Sequence, residues 1–105
     1  MKRFDVYMVR LDPTQGSEIG KARPAAIVSP DVTNRALRTV IIVPLTSTRR
    51  AWPTRVSTRF RGHNGELALD QIRCVDKSRL AGRLGKLDAA TASATCTKLV
   101  ELFAE

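Results

Sequence analysis

Two residues of unlike chemistry stand at the ends of the two most apolar stretches of this chain. Arg23 opens Arg-Pro-Ala-Ala-Ile-Val-Ser-Pro at 23–30, and Thr46 closes Thr-Val-Ile-Ile-Val-Pro-Leu-Thr at 39–46. Both stretches are rich in β-branched residues, bounded by proline and of ordinary strand length. Their link is short, so antiparallel pairing is the simplest arrangement. The start of the first strand and the end of the second then lie at one edge of the sheet. Arg23 and Thr46, 23 positions apart in sequence, meet there. A guanidinium beside a hydroxyl on a basic protein points to a phosphate.

The chemistry that needs least further apparatus is cleavage of RNA by its own 2′-hydroxyl. The substrate brings its nucleophile, and the protein holds the phosphate in line and stabilises its added negative charge. Arg23 suits the electrostatic role, and Thr46 can donate a hydrogen bond to a phosphate oxygen. Arginine is too basic to shuttle protons, so the base stays unassigned. Asp70, a water, or a group in the 12–22 loop are the candidates. A surface ion pair at Arg23 and a turn role for Thr46 are the plain structural alternatives.

Several elements must position this pair. Residues 4–11 read as a first strand, with Asp5 and Arg10 reaching solvent, and Asp12-Pro13 stops it. A polar loop with two glycines follows at 14–21. Residues 30–37 read as a brief helical turn, with Ser29 as N-cap and Pro30 in the first helical position. The loop at 46–53 carries Arg49, Arg50 and Trp52. Trp52 reads first as a lid over the core, with base stacking as the alternative.

Residues 54–61 alternate, placing Thr54, Val56, Thr58 and Phe60 on one face and Arg55, Ser57, Arg59 and Arg61 on the other. After a turn at 62–65, another strand is predicted over 66–75, interrupted by Asp70-Gln71. An irregular or edge segment follows around Gly82 and Gly85. Asp88 caps a final helix whose apolar stripe is Ala92, Cys96, Leu99, Val100 and Phe103. Five or six short strands and one C-terminal helix predict a small, mainly antiparallel barrel or curled sheet.

At 105 residues the chain is read as a single domain, 1–105. No apolar stretch approaches bilayer length and the N-terminus lacks a signal-peptide core, so the expected location is cytoplasmic. Cys74 and Cys96 each sit in an apolar pattern and read as buried free thiols. The single histidine, His63, rules out a two-imidazole mechanism and a multi-histidine metal site. The net charge of +8 favours an anionic partner. No acidic residue lies between Asp31 and Glu66, an interval holding seven arginines and no lysine. Arginine grips phosphate in a two-pronged way that lysine cannot.

The motifs Asp5-Val6-Tyr7, 11–18 (Leu-Asp-Pro-Thr-Gln-Gly-Ser-Glu), Arg23-Pro24-Ala25, Val43-Pro44-Leu45-Thr46-Ser47 and Asp70-Gln71-Ile72-Arg73 occur in this order. Together they closely resemble the MazF/PemK family of toxin endoribonucleases, over nearly the whole chain. The resemblance implies an SH3-like antiparallel barrel with a C-terminal helix. It also implies a homodimer, a cognate antitoxin, expected to be acidic because the surface is basic, and metal-independent, sequence-specific cleavage of single-stranded RNA without a cofactor. Cleavage would leave 2′,3′-cyclic phosphate and 5′-hydroxyl ends.

Arg23 matches the family's arginine before proline, Thr46 its threonine after Pro-X, and Asp70 with Gln71 its acidic-Gln pair. We take Arg23 and Thr46 as the candidate catalytic residues, and Thr14, Ser17, Glu18, Ser47, Arg55, Asp70 and Gln71 as candidate substrate-binding residues.

The chain departs from the family pattern at three places. Phe4 stands where many members have glycine, which is expected to alter packing only. Ser17 stands where some members carry histidine, and Ala68 where some carry a further arginine. Those losses leave Arg23 and Thr46 as the minimal pair. Two other readings compete with the nuclease. One is a CcdB-like toxin that binds DNA gyrase without catalysis; the other is a plain nucleic-acid-binding module.

Overall fold

The computed structural model describes all 105 residues. Seven strands form one curled antiparallel sheet: β1 (Asp5–Arg10), β2 (Ala22–Ile27), β3 (Thr39–Thr46), β4 (Arg55–Phe60), β5 (His63–Ala68), β6 (Arg73–Asp76) and β7 (Leu80–Lys86). Their order is β4-β5-β3-β2-β1-β7, with β6 also pairing to β3. A short helix α1 (Asp31–Ala36) links β2 to β3, and α2 (Ala89–Phe103) ends the chain and lies against β4.

β3 organises the sheet because it is apolar on both faces. Val43 and Leu45 enter one core cluster with Val6, Ala26, Val56 and Leu67. Val40 and Ile42 enter the other with Val9, Leu11, Ala25, Ile27 and Val75. A strand covered on both sides reads as a continuous apolar run, as this one does. Its two ends part company: Thr39–Ile42 pair with β6, and Leu45 and Thr46 pair with β5. The fork opens a concavity where β3 leaves one partner for the other.

The mainly β architecture with its C-terminal helix is as the sequence predicts, and several details differ. The strand predicted over 66–75 is two strands, because a 3-10 turn at Leu69–Gln71 breaks it and buries Leu69. The turn expected at 62–65 is the two-residue turn Arg61-Gly62, with φ of 51° and 80°. Positive φ at both central residues matches the right-handed strand twist, which leaves His63 to open β5. The N-cap of α1 is Pro30, not Ser29. The Ser29 hydroxyl instead donates to the Asn34 side chain and accepts from the Ile41 N–H (3.0 Å), tying α1 to β3.

Asp5 is buried rather than solvent-facing and accepts from Arg83 at 3.2 Å. Phe4 has φ of 72°, so this departure from the family glycine is conformational as well as a matter of packing. The left-handed backbone costs a side-chain-bearing residue about 1–2 kcal/mol, against which Phe4 packs on the first core cluster. Asp88 caps α2 as predicted, accepting the Thr91 N–H at 2.7 Å. Only part of the predicted stripe on α2 is covered: Ala92 and Leu99 pack on the core, while Val100 and Phe103 are about 70% exposed. Cys74 and Cys96 are free, as predicted, but exposed rather than buried. No helix is long and apolar enough to cross a membrane.

Candidate active site

The β2–β3 ladder runs Ile27↔Ile42, Ala26↔Val43, Ala25↔Pro44. Carried two residues further, that register sets Arg23 opposite Thr46. On the other side Thr46 pairs with Glu66 of β5. Directly opposed residues of an antiparallel ladder share a face. One row across three strands therefore reads Arg23, Thr46, Glu66.

Each member of the row is prepared differently. The Nε of Arg23 donates to the Gly20 carbonyl at 3.1 Å. That bond anchors the side chain to the first loop and leaves its forked end for a ligand. Thr46 is 8% exposed, and its Oγ1 accepts from the Thr48 N–H at 3.1 Å. With a lone pair so occupied, the hydroxyl proton is left to donate to a ligand. Glu66 is 2% exposed and faces inward, where it organises the 47–54 loop. Its carboxylate accepts from the Arg50 N–H (2.9 Å), the Ala51 N–H (3.0 Å) and Arg55 Nη1 (3.2 Å). The Arg50 bond, with those of Ala51 and Arg55, outweighs burial and holds Glu66 below the ordinary carboxylate value.

Arg23 and Thr46 stand on the ridge between two grooves. One, of about 480 Å³, is walled by the first loop and the 47–54 loop, and contains Ser17, Glu18, Arg50, Trp52, Arg55 and Gln71. The other, of about 550 Å³, has an apolar floor of Met8, Leu45, Phe60 and Leu84. Ser47, Arg61, His63 and Asn64 stand around that floor.

The candidate substrate-binding residues distribute accordingly. Ser17, Glu18, Arg55 and Gln71 share the first groove with Arg23 and Thr46, and Ser47 lines the second. Asp70 lines neither; it faces a smaller recess with Glu18 and Gln71. Burial pushes its carboxyl up, but bonds from Arg55 and Thr54 more than offset this and leave it below the ordinary value. A carboxylate so held is a poor proton acceptor near neutral pH.

Thr14 belongs to the scaffold of the first loop, donating to Asp12 Oδ1 at 3.0 Å. Gln71 lines the groove and also accepts the Ile19 N–H (3.2 Å), fastening that loop to the sheet. Arg55 does not reach outward with Arg59 and Arg61 as the alternation predicts. It turns in, binding Asp70 at 2.7 Å and Glu66 at 3.2 Å, with its side chain 7% exposed.

A family model describing a PemK-like, MazF-like toxin of type II toxin–antitoxin systems matches residues 2–103. The chain belongs to that family. It is 35% identical over 94 residues to endoribonuclease EndoA of Bacillus subtilis, spanning 84% of this chain and 81% of that protein. A MazF structure from Deinococcus radiodurans superposes with a TM-score of 0.88 at 26% identity, covering 100% of this chain and 97% of the other. An endoribonuclease in complex with its cognate antitoxin from a mycobacterial species gives a TM-score of 0.82 at 31% identity, covering 96% and 92%. The gyrase-binding alternative is not favoured beside these relatives.

Within this family frame the departure at Ala68 takes on a structural meaning. Ala68 is fully buried and pairs with Arg55 across the β4–β5 ladder. The arginine nearest that position is thus already held by two carboxylates. Sequence reasoning missed the anchoring role of Glu66, which reads as the unremarkable start of a strand. It also missed that His63 shares the cleft beside Thr46. The signal for His63 was available: a two-residue turn pairs it with Phe60 on the core-facing side of the hairpin.

Proposed function

We propose that this chain is the toxin of a toxin–antitoxin pair and cuts single-stranded RNA between the two grooves. What carries the reading is the placement of Arg23 opposite Thr46, on the ridge the grooves share. A phosphate set on that ridge has flanking nucleotides in a groove on either side. The 2′-hydroxyl of one nucleotide gives up its proton to water as its oxygen attacks the phosphorus, the bond to the 5′-oxygen breaks, and that oxygen takes a proton from water, leaving a 2′,3′-cyclic phosphate and a 5′-hydroxyl. Charge grows on the non-bridging oxygens as the phosphorus becomes five-coordinate. The free fork of Arg23 and the hydroxyl of Thr46 suit that charge, and both are fixed beforehand by bonds to Gly20 and Thr48.

The reaction so written needs no metal. The partners that fit are cytoplasmic RNA, an acidic antitoxin drawn to the basic grooves, and a second copy of the chain forming a homodimer. An acidic segment that folds on binding suits such a surface.

Arg23→Ala should lower cleavage of single-stranded RNA by roughly 10²–10³-fold, the scale seen when one preorganised donor is removed from a developing oxyanion. Its melting temperature should stay close to wild type, and EDTA should leave wild-type cleavage unchanged. Sequencing of 5′-hydroxyl ends after incubation with total RNA reads out both activity and site. Wild-type rates in the Arg23→Ala protein would sink the assignment.

A further inference from the structure

Trp52 does not do what a tryptophan in a small domain ordinarily does. It is 49% exposed and belongs to neither core cluster, so it is not the lid that the sequence suggests. Its ring forms part of the groove that also holds Arg23 and Thr46. Half-exposed aromatic rings without apolar packing are mobile unless something else fixes them, and here three things do. The Arg55 guanidinium lies over the ring at 4.8 Å from its centroid, and Arg55 is itself locked by Asp70 and Glu66. The preceding backbone is pinned, because the N–H groups of Arg50 and Ala51 both bind the buried Glu66 carboxylate. The Trp52 carbonyl accepts the Arg55 N–H at 3.0 Å. A second guanidinium, Arg50, sits 5.6 Å from the same centroid, but it is exposed and forms no salt bridge.

We propose that Trp52 is the stacking platform for the nucleobase adjoining the scissile phosphate, and so a residue that sets the affinity for RNA at that position. Every base has a π-face, and stacking on an aromatic ring is a main source of affinity for unpaired strands. Arg55 is the fixed underlayer of the platform. Arg50, exposed and without a salt bridge, is the cation that yields the ring to the base and turns to a phosphate. The ring is held before the ligand arrives, so little ordering remains to oppose binding. This inference rests on the nuclease reading above and names one of its base subsites.

The chain has a single tryptophan, so its intrinsic fluorescence reports on this residue alone. A short 2′-O-methylated oligonucleotide spanning a cleavage site mapped for the wild-type protein binds but cannot be cut. Saturable quenching on titration with it is the expected result. Trp52→Ala should raise KM for the unmethylated oligonucleotide roughly ten- to hundredfold. Trp52→Phe should fall between, since a smaller ring still stacks.

Unquenched fluorescence while calorimetry shows binding would overturn the platform. So would a Trp52→Ala protein with wild-type KM. Should Trp52→Ala fail to fold, the wild-type titration and Trp52→Phe decide the matter. Absence of cleavage by the wild-type protein is a separate result, and it would overturn the nuclease reading and this subsite together.

Discussion

At the scale of single residues, Glu66 is the one on which the rest of the site depends without touching the ridge's ligand side. It stands beside Thr46 in the cross-strand row, yet its carboxylate is spent on two loop N–H groups and Arg55. A buried carboxylate held below its ordinary value stabilises the fold most where the unfolded chain's carboxyl is also ionised. That contribution is full above the ordinary value of 4.5 and is lost as pH falls through the lowered native value. Asp70, also lowered, adds a loss in the same direction below 3.8. Glu66→Gln keeps one acceptor but loses the charge facing Arg55. We expect it to cost about 1.5–3 kcal/mol at pH 7, the range for a buried hydrogen bond to a charged group. Its stability should also fall less steeply than wild type's between neutral and acid pH. Urea titrations of both proteins at pH 7 and pH 3 measure both effects, and parallel pH profiles would remove Glu66 from this role.

At the scale of elements, the site is a junction of strands, and junctions depend on how closely backbones approach. Gly65 in β5 lies against the fork of β3, where a Cβ would come 2.5 Å from the Thr46 carbonyl oxygen. That oxygen is backbone and cannot swing aside, so Gly65→Ala must push β5 from β3 just where Thr46 is held. Overpacking of this kind costs about 1–3 kcal/mol. Displacing a catalytic group by about 1 Å can cost roughly 10²-fold in rate. We therefore expect a folded protein with a lowered melting temperature and a large loss in kcat, read by circular dichroism and RNA cleavage. Wild-type kcat in Gly65→Ala would mean that the fork tolerates the shift.

The strands β2 and β3 were legible in sequence because apolar residues fill them, although Pro24 and Pro44 lie within the strands rather than at their bounds. Their antiparallel register then delivered Arg23 to Thr46. The interruption at Asp70-Gln71 was legible, but not that it is a 3-10 turn dividing two strands, since Leu67-Ala68-Leu69 continues the apolar pattern of a strand into it. Nor was the inward turn of Arg55. Alternation gives the face of a strand, whereas two carboxylates from other elements decided where that long side chain ends.

At the scale of the whole molecule, the net charge of +8 says that an anion binds but not where. The structure divides the cations. Arg55 is neutralised by Asp70 and Glu66, and Arg35 lies on α1, which lines neither groove. Arg23, Arg50 and Arg61 line the grooves, and Arg49 lies exposed in the loop beside them. About four phosphates so contacted would give a slope of about −3 for log K against log salt, at roughly −0.7 per contact on a single strand. Filter binding of 2′-O-methylated RNA across a salt series measures it. Arg50→Gln should make the slope shallower by about 0.7, because it removes one contact while the backbone bond to Glu66 remains. Arg35→Gln changes the net charge by the same amount and should leave the slope where it was. Equal changes in the two variants would show that RNA reads the total charge of the surface rather than the two grooves.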